Sequence, residues 1–502
     1  MSKPPSGHLD VRTVRDDVGR RSVRSGFVRF AERGGILVLS IASTATLARL
    51  LTPEDFGLIA MVAVLSAIVN SLKNFGLPMA LVHREEIRPE AADALFWMTV
   101  GLSGALCLAM AAGGPLLALL FDEPRVTLLT AATAGALFIL ALGAPQNALL
   151  MRQMRFGTLA GIGIGAEAVG MTVGVIAAWR GLGPWALVLQ LTVTNALLSG
   201  LRIALSGWWP SFKPRTWKHS GLRVLTSYGF SYSGFGIIEH FGRHLDRVLV
   251  GLVGGASTLG LYDNAFRWSL FPLQQVFRPL LGVAVAGLSR VQNDAALFRA
   301  YVRRSVLPVL GVALPTLAFV TAAADPVVRV LLGDQWIDAI PLLQWLSAAA
   351  ALRCFSKVAQ WLFLAEGRTQ LQLRWGLVST PVYVVAVVIG VQWDALGVAA
   401  GFFTATALLV VPEMIVAIRG SAVRMQDLAA ASWRPVVGSL TAAISVGLAM
   451  PWIPDSAVLG LAASAALFGS VYIAMWLSLP GGVRAAHQVI TLLQSLRPVP
   501  QS

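Results

Sequence analysis

Long apolar runs separated by short polar segments dominate the sequence from residue 28 to residue 478. A helix needs about 20 apolar residues to cross a hydrocarbon core roughly 30 Å thick, and the runs have about that length. The pattern therefore predicts an all-α polytopic membrane protein with about 14 transmembrane helices. The predicted spans are residues 28–50, 55–77, 94–120, 126–148, 157–179, 184–206, 232–254, 258–281, 305–323, 342–363, 373–391, 395–418, 434–452 and 457–478.

Composition supports this fold class. Of 502 residues, 56% are hydrophobic and only 13% are charged, whereas about a quarter are charged in soluble domains. The two cysteines, Cys107 and Cys354, both fall inside predicted spans, so neither a disulfide framework nor a cysteine metal site is expected. The polar, basic N-terminus lacks a short apolar core with a cleavage site, so a removable signal peptide is not expected.

The distribution of Lys and Arg predicts how the chain crosses the membrane. The net charge of +14 gathers in alternate loops and both tails, for example at Lys213, Arg215 and Lys218. The other set of loops is short and carries little positive charge (Arg49, Arg125, Arg180 and Arg329). By the positive-inside rule both termini are cytoplasmic. Basic residues near lipid headgroups explain the charge, and no nucleic-acid partner is expected.

Weak internal similarity indicates a repeat. The segment LLTPEDFGLI (50–59) matches VGGASTLGLY (253–262), GLGPWAL (181–187) matches ALGVAAG (395–401), and LMRQMRF (150–156) matches LAEGRTQ (364–370). Six spans separate the copies, so the two halves have the same orientation, as in transporters built from parallel repeats. Chance similarity between apolar helices is the alternative.

The segment TPEDFG predicts a sharp helix start. Thr52 is placed to cap the helix, Pro53 suits the first helical position, and Asp55 favours the positive end of the helix dipole. Gly57 would let another helix approach closely.

The segment ARLLTPEDFGLIAMV (48–62) resembles the signature of the polysaccharide transport family, the O-antigen and exopolysaccharide flippases of the multidrug/oligosaccharidyl-lipid/polysaccharide exporter superfamily. The segments NFGLPMALVHRE, GLGPWALV and HLDRVLVGLVGGASTLGLYDNAFR (244–267) are also similar to that family, so the resemblance covers nearly the whole chain. The segment MRQMRF departs from the family pattern, so the resemblance implies no functional role for its residues.

The resemblance implies two six-helix lobes around a central cavity, plus two C-terminal helices. It also implies the transfer of an undecaprenyl-pyrophosphate-linked oligosaccharide from the cytoplasmic to the periplasmic leaflet of a bacterial inner membrane by alternating access. The implied partners are the lipid-linked oligosaccharide, membrane lipids and, on the same pathway, a polysaccharide polymerase and glycosyltransferases; no cofactor and no metal are expected. The expected parts are a cytoplasmic tail (1–27), an N-lobe (28–206), a linker (207–231), a C-lobe (232–418), a linker (419–433), a C-terminal helix pair (434–478) and a cytoplasmic tail (479–502).

Charges inside the predicted spans indicate a polar interior, because an ionised group at mid-bilayer costs about 2.5–3.5 kcal/mol. The spacing of Glu239, Arg243 and Arg247 puts them on one helical stripe, and Arg353 and Lys357 repeat it in span ten. Arginine forks match phosphate oxygens, so such a stripe suits a pyrophosphate. The candidate cavity residues are Glu239, His240, Arg243, His244, Arg247, Arg267, Arg353 and Lys357.

Structural pairing is the alternative reading of these charges. Embedded cations (Arg33, Arg243, Arg247, Arg267, Arg278, Arg353 and Lys357) and embedded acids (Glu32, Glu167, Glu239, Asp246, Asp263 and Glu413) are nearly balanced in number. Glu167 is the most isolated carboxylate of the first half. It is a candidate ion-coupling group, with a hydrogen bond to a neighbouring helix as the plainer reading.

Other functions fit the sequence less well. No Gly-Lys-Ser/Thr phosphate loop occurs, which argues against an ATP-driven pump. A membrane polymerase or ligase needs room at the outer face, where the predicted loops are nearly minimal. The remaining alternatives are a multidrug antiporter of the same superfamily and a regulatory relative without transport activity.

Overall fold

The computed structural model describes residues 18–73, 89–211, 222–480 and 482, with side chains described over 32–72, 92–211 and 245–480 except 278–280 and 283. The described residues form helices and connections, with no β-strand among them. The helices are α1 Val18–Leu50, α2 Pro53–Lys73, α3 Pro89–Ala112, α4 Gly114–Phe121, α5 Arg125–Leu142, α6 Ala144–Arg152, α7 Phe156–Trp179, α8 Trp185–Ser206, α9 Leu222–Arg290, α10 Ala295–Ala322, α11 Ala324–Leu331, α12 Ala339–Ala365, α13 Thr369–Gly390, α14 Asp394–Ile418, α15 Met425–Ala449 and α16 Ala457–Ser478. Short 3₁₀ turns cover Asp334–Trp336, Val391–Trp393 and Met450–Trp452.

Within the described ranges, ten segments are long and apolar enough to cross a membrane, and one of them, Thr369–Ile418, contains both α13 and α14. The all-helical, multi-pass prediction is therefore confirmed. The count of about 14 spans and the arrangement of two lobes remain predictions.

Several helices extend or break at positions that the apolar pattern does not mark. The helix α1 already includes Val18 and α9 already includes Leu222, both within segments predicted to be polar tails or links. The predicted third span is divided at Gly113, and the fourth is divided at Gly143. Spans seven and eight are two helical segments of α9 that meet at Gly255, whose non-helical backbone, with φ of 72° and ψ of −170°, favours glycine and lies where the predicted turn between the two spans falls.

Contacts divide the chain into two compact units, Met1–Ser257 and Thr258–Ser502. In the first unit, α7 packs against α1 and α8, and α5 packs against α3 and α8. In the second unit, α14 packs against α12 and α13, while α15 packs against α10 and α16. A large apolar core of the second unit joins α9, α10, α12, α14 and α15. Each unit is thus a bundle of packed helices.

The TPEDFG turn has the geometry expected from its sequence. The backbone N–H of Thr52 donates to Asp55 Oδ2 at 2.9 Å, and the backbone N–H of Asp55 donates to Thr52 Oγ1 at 3.3 Å. This reciprocal cap satisfies two of the N–H groups that a helix start leaves without partners. Gly57, one turn further, packs so closely that a Cβ there would lie 1.7 Å from the carbonyl oxygen of Ala256. The prediction that Gly57 admits a close helix contact is confirmed.

Candidate functional site

A group of polar side chains within the second unit lies where α12 meets α14. Arg353, Lys357 and Gln360 occur on α12 at positions that share one helical face. Lys357 Nζ donates to Gln360 Oε1 at 3.3 Å, and all three side chains are half-buried. Helix α12 therefore presents a cationic stripe, as its spacing predicted.

Glu413 on α14 supplies the acidic member of this group. Its Oε2 accepts a hydrogen bond of 2.5 Å from Ser356 Oγ, which joins α14 to α12. Arg353 and Lys357 both lie close enough to attract the Glu413 carboxylate. The group therefore brings two cationic side chains together beside the Glu413 carboxylate, an arrangement that the near-balanced totals of the sequence do not reveal.

Aromatic rings of α14, α13 and α9 form a wall beside Arg353. The guanidinium carbon of Arg353 lies 5.4 Å from the centroid of Phe402, within the range of a cation–π contact. The Phe402 ring in turn contacts Phe266 at 5.7 Å and Tyr383 at 5.5 Å. The Tyr383 hydroxyl is 3.2 Å from Thr406 Oγ1, one turn along α14 from Phe402. The wall fixes one face of the guanidinium, and the nitrogen donors of a guanidinium point outward in its plane.

Other candidate residues lie elsewhere in the described structure. Arg267 on α9 forms an ion pair with Asp263, one turn away on the same helix, with 3.6 Å between Nη2 and Oδ2. This contact agrees with structural pairing, although the Arg267 side chain stays 55% exposed. Arg247, also on α9, is half-buried. The side chains of Glu239, His240, Arg243 and His244 lie outside the described residues.

Glu167 lies on the face of α7 that packs against α1 and α8. Gly170 and Gly174 share this face: a Cβ at Gly170 would lie 1.9 Å from Thr194 Oγ1, and one at Gly174 would lie 2.9 Å from Gln190 Cβ. One turn before Glu167, Gly163 approaches the Glu32 carboxylate. In the described part of the chain Glu167 is half-buried and has no hydrogen bond or ion pair, so the expected bond to a neighbouring helix is not found there.

Sequence reasoning missed Ser356 and the aromatic wall. Ser356 directly precedes Lys357, but its bond to Glu413 crosses 57 positions of sequence. Phe402, Thr406 and Glu413 recur at helical spacing along α14, and this pattern was the available signal.

These features define the class of protein: an all-helical, multi-pass integral membrane protein with a polar, cation-rich group inside one of its helical units. The chain belongs to the family described as polysaccharide biosynthesis protein, whose sequence profile matches residues 46–341, more than half of its length. The family resemblance carried by the TPEDFG segment is thereby confirmed.

Individual relatives agree with this assignment. The chain is 24% identical over 431 residues to the lipopolysaccharide biosynthesis protein WzxC of Escherichia coli K12, covering 85% of each chain. It is 28% identical over 327 residues to the succinoglycan biosynthesis transport protein ExoT of Rhizobium meliloti strain 1021, covering 63% of this chain and 64% of ExoT. Its fold is similar to that of the lipid II flippase MurJ in an inward closed conformation, with a TM-score of 0.67 at 12% identity over 90% of this chain and 98% of MurJ.

Proposed function

We propose that the protein is a flippase that moves an undecaprenyl-pyrophosphate-linked oligosaccharide, an O-antigen or exopolysaccharide repeat unit, from the cytoplasmic to the periplasmic leaflet of a bacterial inner membrane. The observation that carries the proposal is the group on α12 and α14, where the cationic side chains of Arg353 and Lys357 lie together near Glu413. Two neighbouring cations among apolar helices suit an anionic head group that must leave water.

Family membership supports the same substrate class. The matched profile describes proteins of polysaccharide biosynthesis, and the relative ExoT is named as a transport protein. A lipid carrier with a pyrophosphate offers oxygens that a guanidinium binds through two parallel hydrogen bonds. The ring of Phe402 holds Arg353 in one orientation, which reduces the entropy that such binding would otherwise cost.

The finer architecture belongs to the proposal. Fourteen spans, arranged as two six-helix lobes with a C-terminal helix pair, would place both termini in the cytoplasm and allow alternating access. The polar face of α9, with Glu239, His240, Arg243, His244, Arg247 and Arg267, would add contacts to the carried head group. Glu167, half-buried and without a described partner on α7, is the proposed ion-coupling group.

The leaflet in which lipid-linked oligosaccharide accumulates tests this function. Cells depleted of the protein are treated with a sugar-specific reagent that cannot cross the inner membrane, and the labelled fraction is compared with that of undepleted cells. A flippase predicts repeat units that accumulate facing the cytoplasm, protected from the reagent. Unpolymerised units on the periplasmic side would instead assign the protein to polymerisation or ligation, and an unchanged distribution would favour a multidrug antiporter.

Variants of Arg353 connect the function to the site. Depleted cells are complemented with Arg353→Ala, Arg353→Lys or Arg374→Gln; Arg374 is an exposed cation on α13 outside the group. Removal of a charge-assisted bidentate contact is expected to lower flipping about tenfold or more for Arg353→Ala. Lysine keeps the charge but loses the fork, so Arg353→Lys should be intermediate, and Arg374→Gln should resemble the unmodified protein. Equal flipping by all variants at equal abundance would refute a substrate contact by Arg353.

A further inference from the structure

The connection between α6 and α7 has the same backbone geometry as the connection between α12 and α13. In the first, Gln153, Met154 and Arg155 follow α6; in the second, Glu366, Gly367 and Arg368 follow α12. The middle residues have left-handed φ values of 55° and 68°. The last residues have φ and ψ of −82° and 53° at Arg155, and of −84° and 44° at Arg368.

The hydrogen bonds of the two connections agree one by one. The N–H groups of Gln153, Met154 and Arg155 donate to the carbonyls of Leu149, Met151 and Leu150. The N–H groups of Glu366, Gly367 and Arg368 donate to the carbonyls of Leu362, Leu364 and Phe363. In both connections the acceptors lie four, three and five residues before their donors. Met154 accepts a conformation that costs a non-glycine residue free energy, which indicates that the geometry is required there. This geometry is a common way for a helix to end and also occurs at Arg180, Gly181 and Leu182, so the equivalence of the two connections depends in addition on the arginine contacts described next.

Each connection ends in an arginine whose side chain contacts the C-terminal end of a later helix. Arg155 precedes α7 and contacts the end of α8, and Arg368 precedes α13 and contacts the end of α14. Arg155 Nη1 donates to the carbonyl oxygen of Leu205 at 2.7 Å, where α8 ends. Arg368 Nη1 donates to the carbonyl oxygen of Arg419, and its Nη2 to that of Ala417, both at 2.6 Å, where α14 ends. The sequence separations are 50 in the first unit and 49 and 51 in the second, so the arginines reach equivalent points.

Physical chemistry explains why a cation suits this position. The last carbonyls of a helix have no partner within the helix, and the helix dipole places partial negative charge there. In the second unit Glu366 also forms an ion pair with Arg368 and accepts a hydrogen bond from Ser421, so the guanidinium is held from both sides.

The helices joined in this way are hairpins that glycine already packs tightly. A Cβ at Gly390 of α13 would lie 2.2 Å from the carbonyl oxygen of Gly397 of α14, and Gly174 of α7 approaches Gln190 of α8 in the other unit. In both hairpins the chain turn closes one end, and the arginine lies at the open end.

We propose that Arg155 and Arg368 are equivalent positioning residues, one in each unit, that fasten the open ends of the hairpins α7–α8 and α13–α14 so that each hairpin moves as one body during transport. The statement that each hairpin moves as one body during transport, called the transport clause below, rests on the proposed flippase function. The fastening of the helix ends by the two arginines does not depend on that function. The competing explanation is that both arginines act only as cytoplasmic charges that set membrane orientation, for which any cation suffices.

Hydrogen–deuterium exchange of the purified full-length protein in detergent tests the fastening. The reporters are the amides of Arg419 and Ser421, which donate to the carbonyls of Ile415 and Ile418 at the end of α14. Arg368→Gln is expected to speed their exchange about tenfold or more, because charge-assisted bonds to the helix end are lost. Arg368→Lys should also raise exchange, since an ammonium is a point donor without a planar fork, whereas the exposed Arg374→Gln should not.

The two units give a matched internal comparison. Arg155 makes a single carbonyl contact, which lysine can replace, so Arg155→Lys should preserve the slow exchange at the end of α8 while Arg155→Gln should not. Unchanged exchange in Arg368→Gln and Arg155→Gln would overturn the fastening, as would restoration of slow exchange by Arg368→Lys to the unmodified value.

Flipping in complemented cells tests the transport clause separately. Arg368→Gln should reduce flipping about tenfold at unchanged abundance and membrane orientation, while Arg374→Gln should not. Fast exchange combined with normal flipping would overturn the clause that each hairpin must move as one body. If the unmodified protein itself flips nothing, the proposed function fails, yet the exchange result still decides the fastening because it needs no substrate.

Discussion

Substitution of Gly57 by alanine tests the closest helix contact in the first unit. Gly57 lies in the first turns of α2, and its missing side chain leaves room for the backbone of Ala256, just after the kink in α9. An added Cβ would lie 1.7 Å from the Ala256 carbonyl oxygen and 2.5 Å from its carbonyl carbon, far inside any real contact. Since the obstacle is backbone, no side-chain rotation relieves it.

The magnitude follows from two opposed effects. Alanine in a helix interior is favoured over glycine by about 0.5–1 kcal/mol. Overpacking of a tight contact costs about 1–3 kcal/mol, and a backbone obstacle belongs at the upper end of that range. Overpacking therefore exceeds the alanine gain, and Gly57→Ala is expected to destabilise the protein by about 2–2.5 kcal/mol, a drop of roughly 4–10 °C in midpoint temperature for a unit of this size.

Thermal unfolding of the detergent-solubilised protein, followed by fluorescence size-exclusion chromatography, measures this change. Gly135→Ala is the matched control, because Gly135 is exposed on α5 and a Cβ there meets nothing within 4 Å. The control should keep or raise the midpoint. Ala256→Gly should not rescue Gly57→Ala, since the clash involves the carbonyl and not the side chain. A Gly57→Ala midpoint equal to that of Gly135→Ala would refute the close approach.

Two further variants test the proposed site. Arg243→Ala should abolish export at normal protein abundance, measured by surface polysaccharide and immunoblot, if the α9 stripe contacts substrate; low abundance would instead indicate structural pairing. Glu167→Gln should make flipping independent of an imposed proton gradient in vesicles, because an amide cannot release a proton; an unchanged gradient dependence would exclude Glu167 as the coupling group.

The apolar pattern predicted where helices occur more accurately than where they begin and break. For α16, the predicted span 457–478 and the helix Ala457–Ser478 coincide, because both ends of the apolar run are polar. Helix α1 extends back into the predicted tail as far as Val18, and this extension was missed because those turns are polar and hydropathy does not detect a polar helix. The division of span four at Gly143 was missed because glycine and the following Ala144 and Pro145 barely change the mean hydropathy of the run.

The sequence could predict only those features of the site that arise from residue spacing along a single helix. The stripe formed by Arg353 and Lys357 follows from spacing along α12, and so does the pair of Arg267 with Asp263 along α9. The bond between Ser356 and Glu413 depends on the register of α12 against α14, which a single sequence does not specify. For the same reason Phe402 could not be placed beside Arg353 before the two helices were seen together.

This difference changes how the charge balance should be interpreted. Counted along the sequence, embedded cations and acids nearly cancel, and a cationic site has no support. The structure shows which of these charges lie near one another. Asp263 forms an ion pair with Arg267 on α9, whereas Arg353 and Lys357 both lie near Glu413. A charged ligand responds to the charge within a few ångströms and not to the total of the chain, because charges further apart are screened where water enters. The pair of cations beside Phe402, which depends on how the helices pack, is therefore the physical basis of the proposed anion binding in a chain whose embedded charges nearly cancel.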